Sequence, residues 1–141
     1  MEMIFSGRTV VKGKASGIAM VTDKPVCYVG GIDTDTGEFT EHDHPWFKQS
    51  VKGKILVYPT GKGSTGGSYV IYEAACNGVG PAAIINNRIE QVTAVGVILG
   101  EIPTIDQVQP DPIAFIKDGD FLEVDATNGI VRVIRDDHHP T

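Results

Sequence analysis

Ile55-Leu56-Val57-Tyr58-Pro59-Thr60-Gly61-Lys62-Gly63-Ser64-Thr65-Gly66-Gly67-Ser68 leads directly into Tyr69–Cys76. The first five residues form a short apolar run, the pattern of a buried strand. Tyr69 to Cys76 reads as a helix, with Asn77-Gly78 as its stop. Between them, over Gly61–Ser68, stand four glycines and three hydroxyl residues. A Gly-rich turn from strand to helix gathers backbone N–H groups at one point, and the positive end of the helix dipole adds to that field. Such a point binds an anion, or holds a hydroxyl that must become one. Ser64 lies in its middle.

The rest of the chain is β-rich. Short, turn-bounded apolar runs, with 17 glycines and 8 prolines, predict strands at Ile4–Val11, Gly17–Val21, Ile55–Tyr58, Ala82–Ile85, Val97–Leu99, Ile113–Ile116, Phe121–Asp125 and Ile130–Ile134. Ala126-Thr127-Asn128-Gly129 reads as a hairpin turn, and Asp118-Gly119-Asp120 as another turn. One helix is expected from Ser68, as cap, to Cys76. A second is expected over Ile89–Val95, ending at Gly96. Thr34–Phe47 reads as a long surface loop with an interaction role. The 141 residues make one domain, 1–135, with a polar, flexible tail at 136–141.

Composition excludes several classes. The formal net charge is −6, so the clustered basic face of a nucleic-acid binder is not expected. Eight of the twelve Lys and Arg lie between Arg8 and Lys62, which leaves room for a local anion site. No apolar run reaches membrane-spanning length, and the N-terminus lacks a secretory pattern, so a cytoplasmic protein is expected. Cys27 and Cys76 are read as two buried apolar thiols. Two thiols do not supply the usual ligand set of an iron–sulfur cluster or structural zinc.

Other motifs fail on spacing. Counted from Gly61, Gly66 fits a P-loop but Gly67 stands where the lysine belongs. Gly63-Ser64-Thr65-Gly66 misses both glycines of a nucleophile elbow, and none of His42, His44, His138 and His139 suggests a triad. Asp33-Thr34-Asp35-Thr36-Gly37 lacks the third oxygen ligand of a calcium loop and reads as a solvated turn. His42 and His44 have no third ligand nearby. His44-Pro45-Trp46 instead anchors a loop through the Trp46 ring. Val70, Tyr72 and Ala74 read as the core face of the first helix. A purely structural glycine turn at 61–68 is the plain alternative, against which stands the density of small polar residues at a helix start.

Ordered blocks of the chain resemble the small subunit of aconitase X. They are Gly13–Ala19, Pro25 with Tyr28–Asp33, Thr36-Gly37, His44-Pro45, Gly53–Pro59, Gly61–Ser68, Glu73-Ala74, Gly80–Ile85 and Ile102-Pro103. The resemblance implies an α/β, β-rich swivelling β/β/α domain. The C-terminal stretch, Lys117–Asp125 through Gly129–Val133, also resembles phosphohistidine swivelling domains. No histidine lies between His44 and His138, so the fold link is kept and phosphotransfer is not.

The superfamily's Gly-x-Gly-Ser-Ser-Arg loop carries over with Ser64 as catalytic base and Thr65 as the second hydroxyl. Gly66 replaces the carboxylate-binding arginine, so the substrate implied need not be a tricarboxylic acid. Lys62, Gly63, Thr65 and Gly66 are the expected substrate-binding positions, and no metal ligand is expected. The resemblance further implies a dehydratase that works with a large subunit holding an iron–sulfur cluster of the 4Fe-4S type, as a heterodimer acting on a small anionic substrate. The most similar branch dehydrates (R)-5-phosphomevalonate; a sibling branch dehydrates cis-3-hydroxy-L-proline. A non-catalytic anion-binding module is the reading from another class.

Overall fold

The computed structural model describes residues 2–135. The expected tail at 136–141, with His138 and His139, lies outside the described residues. Seven strands close into a barrel in the order β1-β5-β4-β3-β2-β6-β7. They are β1 (Glu2–Val11), β2 (Lys14–Val21), β3 (Ile55–Tyr58), β4 (Ala83–Asn86), β5 (Thr104–Gln109), β6 (Phe121–Asp125) and β7 (Ile130–Ile134). The helices are α1 (Gly67–Cys76), α2 (Gln91–Gly100) and the short α3 (Pro112–Phe115). Strands β2, β3, β4 and β5 pair in parallel and the remaining pairs are antiparallel. This is the β-rich α/β architecture expected.

Strands β3 and β4 are buried at every position. Their alternation serves two cores at once. Ile55, Val57, Ala83 and Ile85 point into the barrel, where they meet Phe5, Leu122, Val124, Val131 and Val133. Leu56, Tyr58 and Ile84 point outward into a second core with Ile71 of α1, Val97 of α2 and Trp46. A strand covered on both faces has no polar side, hence the unbroken apolar runs.

The second core overturns the expectation of a surface loop at Thr34–Phe47. The segment has no strand of its own, but Phe39 and Trp46 are fully buried in it. The ring of Trp46 does anchor it, edge-on to Tyr58 at 6.0 Å and to Phe39 at 5.6 Å. Two bridges, Ile32 with Phe39 and Glu38 with Ser50, pin it in place.

Three predicted elements differ. Val97–Leu99 is the last part of α2, which passes through Gly96 and stops at Glu101 in the left-handed conformation, φ 55°. Gly96 does not end the helix; it admits α1. A Cβ there would lie 2.8 Å from Ile71 Cδ1 and 3.2 Å from Ser68 Cα. Ile113–Ile116 is largely α3, started by Pro112 and by the Asp111 carboxylate accepting the Ile113 N–H at 3.1 Å. Strand β5 goes unread because its polar residues are buried: Thr104 and Asp106 are fully enclosed. The Asp106 carboxylate takes two hydrogen bonds from Arg8, at 2.8 and 2.9 Å, and one from the Ile89 N–H at 3.0 Å.

Ser68 is not the cap of α1. The N-cap is Gly66, with no side-chain bond, and the Ser68 hydroxyl donates to Val92 O at 2.7 Å. Of the predicted helix face, Ala74 is buried and Val70 partly so, while Tyr72 is exposed. The two thiols are not buried: Cys27 is half-buried and Cys76 is exposed, at the open C-terminal end of α1.

Replacing Gly96 by valine is expected to push α1 off α2 and to cost about 1–3 kcal/mol, the usual range for overpacking. Urea unfolding of Gly96→Val beside the native chain measures it.

Candidate functional site

The Gly61–Ser68 loop leaves β3 and enters α1, as the sequence indicates. Its first half is stitched to the neighbouring segment. Val26 N–H donates to Thr60 O at 3.2 Å and Lys62 N–H donates to Val26 O at 2.9 Å, forming a parallel bridge between Val26 and Gly61. Gly61 has no space for a side chain, since a Cβ would lie 2.5 Å from Thr93 Oγ1 and 2.6 Å from Glu90 Oε1. Gly63 sits at φ +103°, and its Cβ would lie 2.5 Å from Cys27 Sγ. The loop therefore runs in a channel between the start of α2 and the Cys27 thiol, open only to glycine at both points.

The two helix starts beside each other differ. Glu90 caps α2: its carboxylate accepts the N–H groups of Val92 at 2.9 Å and Thr93 at 2.7 Å, and the Thr93 hydroxyl. The start of α1 has no such carboxylate. Gly67 N–H turns back to Ser64 O at 3.0 Å, and the N–H groups of Tyr69 and Val70 go to Gly66 O. Among the described residues, none accepts from the N–H of Gly63, Ser64, Thr65 or Gly66. Ser64, Thr65 and Lys62 are all exposed. The structure thus brings the predicted Lys62, Gly63, Ser64, Thr65 and Gly66 together around one uncapped helix start, where donors and dipole favour negative charge.

Beneath the loop lies a buried polar layer. The hydroxyls of Tyr28 and Tyr58 hydrogen-bond to each other, and burial pushes both phenols up from their usual range. They stay neutral and serve as a rigid floor. Asn86 fixes that floor by donating to Tyr58 O at 3.1 Å and Ile85 O at 3.2 Å. The sequence reading passed over Cys27, Tyr28, Val29 and Glu90 as site neighbours. The signal present was the small-residue run Gly30-Gly31 beside them, within a block of the resemblance.

His42 and His44 form no metal pair. His42 stacks on Phe47 at 4.4 Å, and His44 Nδ1 accepts the Trp46 N–H at 3.1 Å. His44 is 6% exposed, and burial, helped by the charge of Lys62, pushes it below the usual histidine value. Asp33 uses its carboxylate on the N–H groups of Asp35 and Thr36, which is the solvated turn expected. Cys27 and Cys76 lie at opposite ends of α1, and among the described residues no three His, Cys, Asp or Glu converge. These residues do not fit an iron–sulfur cluster. No helix among the described residues is long and apolar enough to cross a membrane.

The loop faces open solvent. A concavity of about 580 Å³ lies on the barrel wall between Lys14, Ser16, Glu123, Asp125, Asn128 and Arg132 and contains none of the loop residues. A basic serine needs a dry, donor-rich setting. Here the donors are present, and among the described residues no cover lies over Ser64.

Comparisons with known proteins find counterparts of the whole fold. The aconitase X swivel domain family matches residues 4–133. The phosphomevalonate dehydratase small subunit of Methanocella arvoryzae is 44% identical over 131 residues, covering 93% of this chain and 99% of that one. That of Thermococcus kodakarensis is 42% identical over 134 residues, covering 95% and 98%. The crystal structure of Thermococcus kodakaraensis aconitase X in its holo form matches with a TM-score of 0.89 at 41% identity, over 94% of this chain and 99% of that chain.

Two outcomes are expected from the site. Gly63→Ala forces an alanine into φ +103° against the Cys27 thiol; it should cost about 1–3 kcal/mol and speed amide exchange across residues 63–67, read by hydrogen-exchange mass spectrometry. The His44 ring resists its proton when folded, whereas the unfolded chain takes it at the ordinary value. Stability is therefore full above the usual histidine range and falls as pH drops through it. Melting curves from pH 7.5 to 5 test this, with the slope reduced in His44→Asn.

Proposed function

The chain belongs to the aconitase X swivel domain family, and from that membership we propose that it is the small subunit of a two-subunit hydro-lyase acting on (R)-5-phosphomevalonate. The product is trans-anhydromevalonate 5-phosphate, in a modified mevalonate route to isoprenoids. The observation that carries the reading is the bare start of α1 around an exposed Ser64. It is supported by the relatives' shared name, phosphomevalonate dehydratase small subunit, over almost their whole length. A small subunit implies a larger one, and activity in this reading requires both. The pair works in the cytoplasm, and the iron–sulfur cluster belongs to the large subunit.

Dehydration removes a proton from one carbon and a hydroxyl from its neighbour. Ser64, as the alkoxide, takes the proton. A serine hydroxyl is a weak base in water, so its anion must be held by preformed dipoles in a site closed to solvent. The N–H groups of Gly63, Thr65 and Gly66 provide them, because no partner among the described residues uses them. Lys62, exposed beside Ser64, meets an anionic end of the substrate. Gly66 in place of an arginine leaves space there, which suits a substrate that is not a tricarboxylate.

The test is anaerobic turnover of the reconstituted pair. Ser64→Ala is expected to lower kcat by about 10²–10⁴-fold with the complex intact, and Lys62→Ala to raise KM. A Ser64→Ala variant that only raises KM points to a plain anion-binding loop. Turnover of cis-3-hydroxy-L-proline in place of phosphomevalonate overturns the substrate.

A further inference from the structure

The outward faces of α1 and α2 form one surface that is apolar apart from Glu73. The helices run side by side and in the same direction. Gly96 lies against Ile71 with no space for a further carbon, and Gly67 against Val92 and Gly100 against Ala75 with tight space for one. Because the contact is so close, the two outer faces merge. Tyr69 is 74% exposed, and Tyr72, Val95, Ile98 and Leu99 lie between 42% and 56%. Helix α2, Gln-Val-Thr-Ala-Val-Gly-Val-Ile-Leu-Gly, carries no charged residue in its ten positions. A helix left without a charged face is one that something covers.

The surface is continuous with the Ser64 loop. Tyr69 is within one turn of the Gly66 cap, its N–H on Gly66 O at 3.1 Å. On the other side of the loop stands Val29, also exposed, with its Cγ2 3.3 Å from where a Cβ on Gly66 would sit. Any body that shuts Ser64 from water therefore also meets Tyr69 and Val29. A second copy of this chain is a poor occupant. Each copy carries a formal net charge of −6, and a second Ser64 loop brings only another bare helix start.

We propose that the Tyr69–Tyr72–Val95–Ile98–Leu99 face is the docking surface for the large subunit, seated so that it closes over Ser64; this rests on the two-subunit dehydratase reading. The occupant is an apolar protein surface on the partner. A second exposed apolar row, Ile18, Phe121 and Ile134 across β2, β6 and β7, is separate from the loop and serves as the control.

The test uses the native chain with its cognate large subunit. Hydroxyl-radical footprinting of the unmutated complex is expected to show Tyr69 and Tyr72 protected relative to the free chain and Phe121 unchanged. The double variant Val95→Glu, Ile98→Glu is expected to fold, judged by its melting curve, and to weaken subunit affinity by about 100-fold. Phe121→Glu should leave affinity unchanged. Unprotected tyrosines, or a folded double variant that assembles like the native chain, overturn the inference. So does a free chain that dimerises through these residues in sedimentation. A pair that assembles through this face but fails to dehydrate phosphomevalonate upholds the interface and overturns the substrate reading.

Discussion

Two short parallel strands carry most of the architecture. Each residue of β3 and β4 is buried, because one face fills the barrel and the other supports the helices. Ile55 and Val57 belong to one core while Leu56 and Tyr58 belong to the other. A substitution at any of these positions is felt on its own side only, but a shift by one residue would exchange the two cores. That register also sets where Pro59 leaves the sheet, and so where the loop after it begins.

From this constraint the site follows in steps. The parallel pairing of β3 with β4, and of β4 with β5, requires crossovers, and α1 and α2 are those crossovers. Both helices lie over the same outward core, against Leu56, Tyr58 and Ile84. Glycines at 67, 96 and 100 allow them to touch almost backbone to backbone. Their starts therefore stand next to each other, one filled by Glu90 and one left to Gly66. A fold that caps one helix with a carboxylate and leaves its neighbour bare keeps the second start favourable to negative charge.

The same economy leaves the chain incomplete. The buried tyrosine pair makes the floor under the loop stiff, and Cys27 with Glu90 makes its walls, but no part of the described chain roofs it. Family membership supplies the reason for this incompleteness: the relatives are subunits. The apolar outer face of the helix pair has the composition of a surface meant to be covered. The exposed Ser64 loop and the uncharged helix α2 next to it lie on one continuous face.

Much of the molecule is legible along the chain. The strand–glycine–helix stretch placed Ser64 and its neighbours, because spacing and residue type along a contiguous segment are enough to define a turn. The hairpin β6–β7 was legible for the same reason, its turn and alternation being local. What escaped were features whose cause lies far away in the chain. Strand β5 is polar in sequence and becomes a strand because Arg8, nearly a hundred residues earlier, neutralises Asp106. Gly96 looks like a helix end and is a contact with Ile71 and Ser68. Val97–Leu99 looks like a strand, since a short apolar run has no period to tell strand from buried helix. Cys27 looks buried and inert, and it proves to be the wall of the loop. Local propensity chose the motif; only the tertiary structure decided which neighbours surround it and that no described residue covers it, because packing between distant segments is invisible to a pattern read along the chain.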